Sequence, residues 1–250
     1  MYFFFYMIFL ADLAGGFGRA NGDGKTRMHE GQTGIGEGVA DVAFKRIRGD
    51  IIAGILPPAK KLRLEQLKVQ YGASVSTLRE ILSRLASENL VVAEGQRGFE
   101  VAPATADNLR EVADLRLLLE SHALRLSLNG GDLDWEGRVV AAHHKLSVVE
   151  GQLLSGELER TVQWVRYDFA FHNALISACG SQTLLALHAA VFDRFIRYHL
   201  LAATFRGAAV TEDHRALFEL AMQRDVERCV TKLSSHIKAG VEHVLASGRI

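Results

Sequence analysis

Proline is almost absent from this chain. Three occur in 250 residues, Pro57, Pro58 and Pro103, against 23 glycines. Few residues therefore remove a backbone donor, and long β-branched alternations are scarce, so the sequence favours helices punctuated by glycine. The length suits one large domain or two modest ones. A hydrophobic share of 48% and a charged share of 23% exclude disorder over most of the chain. Lys plus Arg equal Asp plus Glu at 29 each, which excludes a uniformly basic coat but leaves room for a local basic patch. Cys179 and Cys229 cannot build a disulfide framework and no N-x-S/T acceptor occurs. The expected location is therefore a reducing cytoplasm.

The first 38 residues read as a leader, disordered or mis-assigned. Tyr2 to Ala11 is YFFFYMIFLA. Ten apolar residues are too few for a bilayer span, which needs about 20, and no basic residue precedes them as in a signal peptide. Gly15 to Gly38 is glycine-rich and poor in apolar residues. The expectation is a start at Met28 and no membrane partner. GDGKT (22–26) lacks the glycine that a phosphate loop needs five positions before Gly24, where Arg19 stands. Gly34, Gly36 and Gly38 follow no strand, so a dinucleotide turn is not expected either.

Organisation begins at Val39 and changes near Pro103. Asp41 to Thr105 holds ten basic and seven acidic residues, so this stretch carries the positive excess. Val39, Val42, Ala43, Ile47 and Ile51 recur at helical spacing over 39–53. Gly54 ends that helix and Pro57-Pro58 fix a turn. A short helix over 64–71 follows, then the turn Gly72-Ala73-Ser74, with Ser74 or Ser76 as the next N-cap. The helix over 75–88 points Leu78, Ile81, Leu82 and Leu85 inward. Strands over 90–93 and 98–101 close through Glu94-Gly95-Gln96-Arg97. Together these outline a winged helix-turn-helix over 39–103, whose third helix enters a DNA major groove. Ser74, Ser76, Thr77, Arg79 and Arg84 on that helix, Arg63 and Lys68 beside the second, and Arg97 on the wing are the expected contacts.

The run G-x-L-P-P-x-x-K-L-R-x-E-x-L (54–67), then YGASVSTLREILSRL (71–85) and EGQRGFEV (94–101), resembles the GntR family of bacterial repressors. The remainder, 106–250, resembles that family's FadR-type ligand domain, an all-α bundle called FCD. Within it, GFEVA (98–102), GGD (130–132), FHNALISACGS (171–181) and FDRFIRY (192–198) resemble the branch of the carbon-starvation-induced repressor. The expected fold is thus mainly α, a winged helix-turn-helix followed by a helical bundle. The family usually has Arg, or at least a polar residue, where Val75 stands and often Pro where Thr77 stands, so the resemblance implies an operator of different sequence. It also implies a homodimer on a palindromic double-stranded site.

The bundle's helices read as 107–127, 132–154, 158–179, 181–201, 211–223 and 225–246, with Thr211 as an N-cap. Asp168 and His172 are four apart and share a helix face. His214 begins a later helix and His236 sits within the last. The family's metal-binding members use one Asp and three His in this order, which implies a divalent metal, Zn, Ni or Mn, at Asp168, His172, His214 and His236. His122, His143, His144, His188, His199 and His243 read as structural or surface residues. Arg116, in DLRLLLE, is costly inside a leucine-rich bundle unless it meets an anion; Glu120 is one candidate partner. The resemblance gives it a second, the carboxylate of a small organic effector such as a dicarboxylate. Arg194, Arg197 and Tyr198 are candidates for a second carboxylate. The reading is a ligand-responsive repressor. The alternative is a metal-dependent hydrolase on a small acid, but no H-E-x-x-H, G-x-S-x-G or paired base accompanies the site, so no enzyme is expected.

Overall fold

The computed structural model describes residues 38–95, 98–203 and 205–250. Residues 1–37, where a leader is expected, and Arg97 at the expected wing tip lie outside the described residues. The chain divides into two compact units. One runs through Gly49 and resumes over Lys61–Glu100; the other joins Asp50–Lys60 to Val101–Ile250.

In the first unit α1 (Val39–Ile52), α2 (Leu64–Tyr71) and α3 (Val75–Ser87) carry the helix-turn-helix order. Gly72 ends α2 at φ 68°, a left-handed turn that a Cβ would strain. Ser74 caps α3, its Oγ accepting from the Thr77 amide at 3.1 Å. Leu78, Ile81, Leu82 and Leu85 are all buried, as their spacing predicts. Val39 and Val42 are exposed, so the buried stripe of α1 starts at Ala43. The sheet has three strands, not two. β1 (Lys61–Leu62) pairs antiparallel with β3 (Phe99–Val101), and β3 lies between β1 and β2 (Val91–Ala93). Two residues of β1 are too few to show alternation in a sequence.

The second unit is helical. Its elements are α4 (Ala106–Gly130), α5 (Leu133–Leu154), a 3-10 turn (Leu158–Arg160), α6 (Thr161–Ile176), α7 (Gln182–Ala202), α8 (Ala208–Met222) and α9 (Val226–Ala246). Thr105, Asp132, Ser181 and Asp225 each cap a helix through the side chain. Thr211 does not. Gly207, at φ 65°, allows α8 to begin at Ala208, and Thr211 sits one turn inside. α4 packs on α6, α7 and α9; α5 packs on α6 and α8; α8 packs on α9. Three helices therefore converge on α4, where Arg116 and Glu120 are buried.

A corner beside Gly131 shows how tightly the bundle closes. Trp135 is fully buried and donates Nε1 to Leu175 O at 3.3 Å. Arg224 stacks over its ring at 4.3 Å and donates to the carbonyls of Leu128 and Gly131. A Cβ on Gly131 would lie 2.6 Å from Trp135 Cδ2 and 2.8 Å from Ser127 O. Gly131→Ala is expected to cost about 1–3 kcal/mol of stability through this overpacking, read as a lowered urea midpoint with unchanged m.

Candidate metal and ligand site

Asp168 and His172 lie one turn apart on α6, His214 on α8 and His236 on α9. All four are buried, and one ligand atom from each falls within 4.8 Å of the others. Each imidazole is turned by a carboxylate on its far side. His172 Nδ1 donates to Glu120 Oε1 at 2.5 Å, His214 Nδ1 to Glu150 Oε1 at 2.6 Å, and His236 Nδ1 to Asp213 Oδ2 at 3.4 Å. An ionised carboxylate only accepts, so the proton sits on Nδ1 and the Nε2 lone pairs face inward. The Nε2 atom of His172 is buried with no hydrogen-bond partner in the protein, and that of His214 faces Asp168 Oδ1 at 3.0 Å. Three imidazoles so oriented, with one carboxylate, suit a divalent transition metal, which would displace the second proton of His214.

The electrostatics agree with that set. Burial pushes His172 and His236 below the usual imidazole range, keeping them neutral. Burial also opposes the charge on Asp168, but His214, His172 and Arg116 outweigh it and hold the carboxyl well below its usual range. His214 lies the other way. Burial disfavours its cation, yet Asp168 and Glu150 raise it to about 9. As bare side chains the two carboxylates hold a proton where a metal's positive charge can stand.

Glu120 ties this centre to Arg116. Its Oε2 accepts from Arg116 Nε at 2.8 Å and from His188 Nε2 at 3.0 Å. Burial raises its pKa, but Arg116, His172 and His188 outweigh burial and hold it well below the carboxylate range. The Arg116 guanidinium lies 4.3 Å from the Phe192 ring and 4.7 Å from that of Phe195. Its Nη2 is buried without a protein partner. Glu120 thus takes part of this cation, and one donor remains. Arg116, Asp168 and His236 line one cavity together with Trp164, His199 and Arg206.

Arg194, Arg197 and Tyr198 are not on that cavity. Arg197 donates to Ala102 O at 2.5 Å and the Tyr198 hydroxyl to Asn108 Oδ1 at 2.9 Å. These three residues share one face of α7, whereas the cavity is lined from the next face by Phe195 and His199. One residue of helical rotation, about 100°, separates the two assignments. Sequence reading also missed Glu150, Asp213 and Arg206, and set His188 and His199 aside. Glu120 carried a signal as the i+4 partner of Arg116. Asp213 is only a neighbour of His214 in the chain, and Glu150 carried none.

In the first unit Arg63, Lys68, Ser76 and Arg79 are exposed. Ser74 is engaged by the cap and by the hydroxyls of Ser76 and Thr77, each at 2.8 Å. Arg84 stacks on Phe44 at 3.9 Å, which holds α3 against α1.

Residues 111–239 match the FCD domain family and residues 40–101 match the bacterial regulatory proteins of the gntR family. The chain belongs to the GntR family of transcriptional regulators. It is 38% identical to the uncharacterized HTH-type transcriptional regulator BphR of Paraburkholderia xenovorans, over 83% of this chain and 86% of that one. It is 32% identical to the HTH-type transcriptional repressor GlaR of Escherichia coli, over 78% of this chain and 90% of that one. The structure of E. coli McbR/YncC aligns with a TM-score of 0.67 at 19% identity, over 84% of this chain and 98% of that one, and shows the shared fold. Membership places the chain among regulators of transcription rather than enzymes, which removes the hydrolase alternative. No helix among the described residues is long and apolar enough to cross a membrane.

Proposed function

We propose that this regulator is a repressor that binds operator DNA as a homodimer and senses a small carboxylic acid, such as a dicarboxylate, at a metal centre. The observation that carries the reading is the carboxylate behind each imidazole, which leaves three Nε2 atoms facing Asp168. A divalent metal, Zn, Ni or Mn, held there supplies an open position to a carboxylate oxygen. Arg116 Nη2, on the same cavity, supplies a charge-assisted hydrogen bond to the acid's other oxygen. The exposed start of α3, with Arg79, Ser76 and Thr77, reads the operator, assisted by Arg63 and Lys68 on phosphates. Arg84 has a packing role as well. Operator affinity of the zinc-loaded protein, measured with and without a short dicarboxylate, tests the reading; an unchanged affinity removes the effector from it.

The dimer rests on a different observation. Leu115, Leu118 and Leu126 recur on one face of α4 and are 40%, 67% and 40% exposed, an apolar stripe that a second copy can cover. Leu118→Glu is expected to shift the protein to monomers in light scattering and to weaken operator binding, since one chain reads a half-site. A dimer that survives the substitution moves the interface elsewhere.

A further inference from the structure

His199 has a place on the cavity but no role in holding the metal set. It stands on α7, one turn after Phe195, whose ring lies 4.9 Å away. Its other side rests on Gly240 of α9. A Cβ at Gly240 would come within 3.3 Å of His199 Cε1 and 3.4 Å of Nε2. The missing side chain therefore makes the space in which the ring sits. The ring's Nε2 is shielded from solvent and has no partner in the protein. A buried polar atom of this kind is costly unless something meets it, and what it shares the cavity with is ligand-binding in character: Arg116, Asp168, Arg206 and His236.

The charges around the cavity limit what that something is. Arg116 is neutralised by Glu120. The Arg206 guanidinium is engaged by Asp213, which it shares with Lys232, and by His236 O at 3.1 Å. Burial, with Arg116, Arg206 and His243 outweighing Asp168, lowers His199 to about 3, so its imidazole is neutral. A second carboxylate beside His199 would compete with Asp213 for Arg206 and with Glu120 for Arg116. A hydroxyl suits it better than any other oxygen. It donates to Nε2 in one imidazole tautomer and accepts from Nε2–H in the other, so neither tautomer leaves the pair unmatched.

We propose that His199, seated on Gly240, is a specificity-determining residue of the ligand cavity whose Nε2 hydrogen-bonds a hydroxyl of the effector, so that hydroxy-carboxylic acids are preferred to their unsubstituted analogues. The inference rests on the effector reading above and deepens it. A site built around a hydroxyl rejects the analogue lacking it, because the buried partner is left unmatched.

The test is calorimetric titration of the zinc-loaded full chain with matched acids: malate against succinate, 2-hydroxyglutarate against glutarate, and 3-hydroxybutyrate against butyrate, using each enantiomer. In at least one pair the hydroxy acid is expected to bind wild type about tenfold to a hundredfold tighter. His199→Leu is expected to bring the members of that pair to within about twofold of each other. Gly240→Ala, which displaces the ring without removing it, is expected to reduce the preference with zinc content unchanged. Equal binding within every pair by wild type overturns the proposal. So does a preference that survives both substitutions. If His199→Leu does not fold, wild type and Gly240→Ala decide. Binding of acids without a hydroxyl preference leaves the effector reading standing and removes only this one, whereas no binding by any acid removes both.

Discussion

His214→Ala is expected to abolish stoichiometric binding of divalent metal and to lower the melting temperature by on the order of 10 °C. Two effects add. The substitution removes a ligand, and with it the stabilisation that a folded-state ligand gives by mass action, about 2.7 kcal/mol at a hundredfold excess over Kd. It also strips the imidazole from between Asp168 and Glu150, which it contacts at 3.0 Å and 2.6 Å, and leaves two buried carboxylates short of a partner. Breaking a buried pair from one side costs about 3–5 kcal/mol, and 1 kcal/mol moves the midpoint of a domain this size by about 2–4 °C. Elemental analysis beside differential scanning calorimetry, with and without chelator, separates the two. Wild type is expected to lose stability with chelator and His214→Ala to show no further loss. Full metal occupancy in the variant contradicts the ligand set.

Arg79→Ala is expected to remove most sequence-specific DNA binding while leaving the fold intact. Arg79 is exposed on α3, beyond the cap built by Ser74, whereas Leu78 beside it is fully buried. The backbone that presents it is therefore fixed by the core, and its own truncation creates no cavity. One bidentate contact to a base is worth about 1–3 kcal/mol, and a dimer makes it twice, so operator affinity falls by roughly thirtyfold to ten-thousandfold. Binding to unrelated DNA, carried by phosphates, is expected to change far less and to keep a steep salt dependence. Fluorescence anisotropy on operator and scrambled duplexes, across a salt series, makes the comparison. Equal losses on both duplexes assign Arg79 to the backbone.

The parts of this molecule legible in the sequence are those written in local spacing. Asp168 and His172 announce a shared helix face at i, i+4, and Leu78, Ile81, Leu82 and Leu85 announce the buried side of α3. The glycines at 72 and 180 announce helix ends through positive φ. What was not legible depends on helices meeting. Glu120, Glu150 and Asp213 orient the three imidazoles, but Glu120 and Glu150 come from α4 and α5, with no fixed spacing to the histidines they hold. Arg84 reads as a free donor until Phe44, 40 positions earlier, is placed beneath it. Arg194, Arg197 and Tyr198 were attractive as a polar cluster on α7. Which face of that helix borders the cavity was decided by its packing on α4, and that face holds Phe195 and His199 instead.

We propose that the metal centre and Arg116 form one acid-binding site coupled to the operator. Coupling of this kind is typically worth ~1–3 kcal/mol, a change of about fivefold to 150-fold in affinity, and it is reciprocal. Operator Kd for the zinc-loaded dimer, taken with and without saturating four- to six-carbon carboxylic acids, for wild type and Arg116→Gln, reads this coupling. The expected result is that at least one acid weakens wild-type operator binding by about fivefold or more, that operator weakens binding of that acid by the same factor, and that Arg116→Gln loses the response while still binding operator. Operator affinity that is the same with and without every acid, in a wild-type protein carrying its metal, would rule out the coupling.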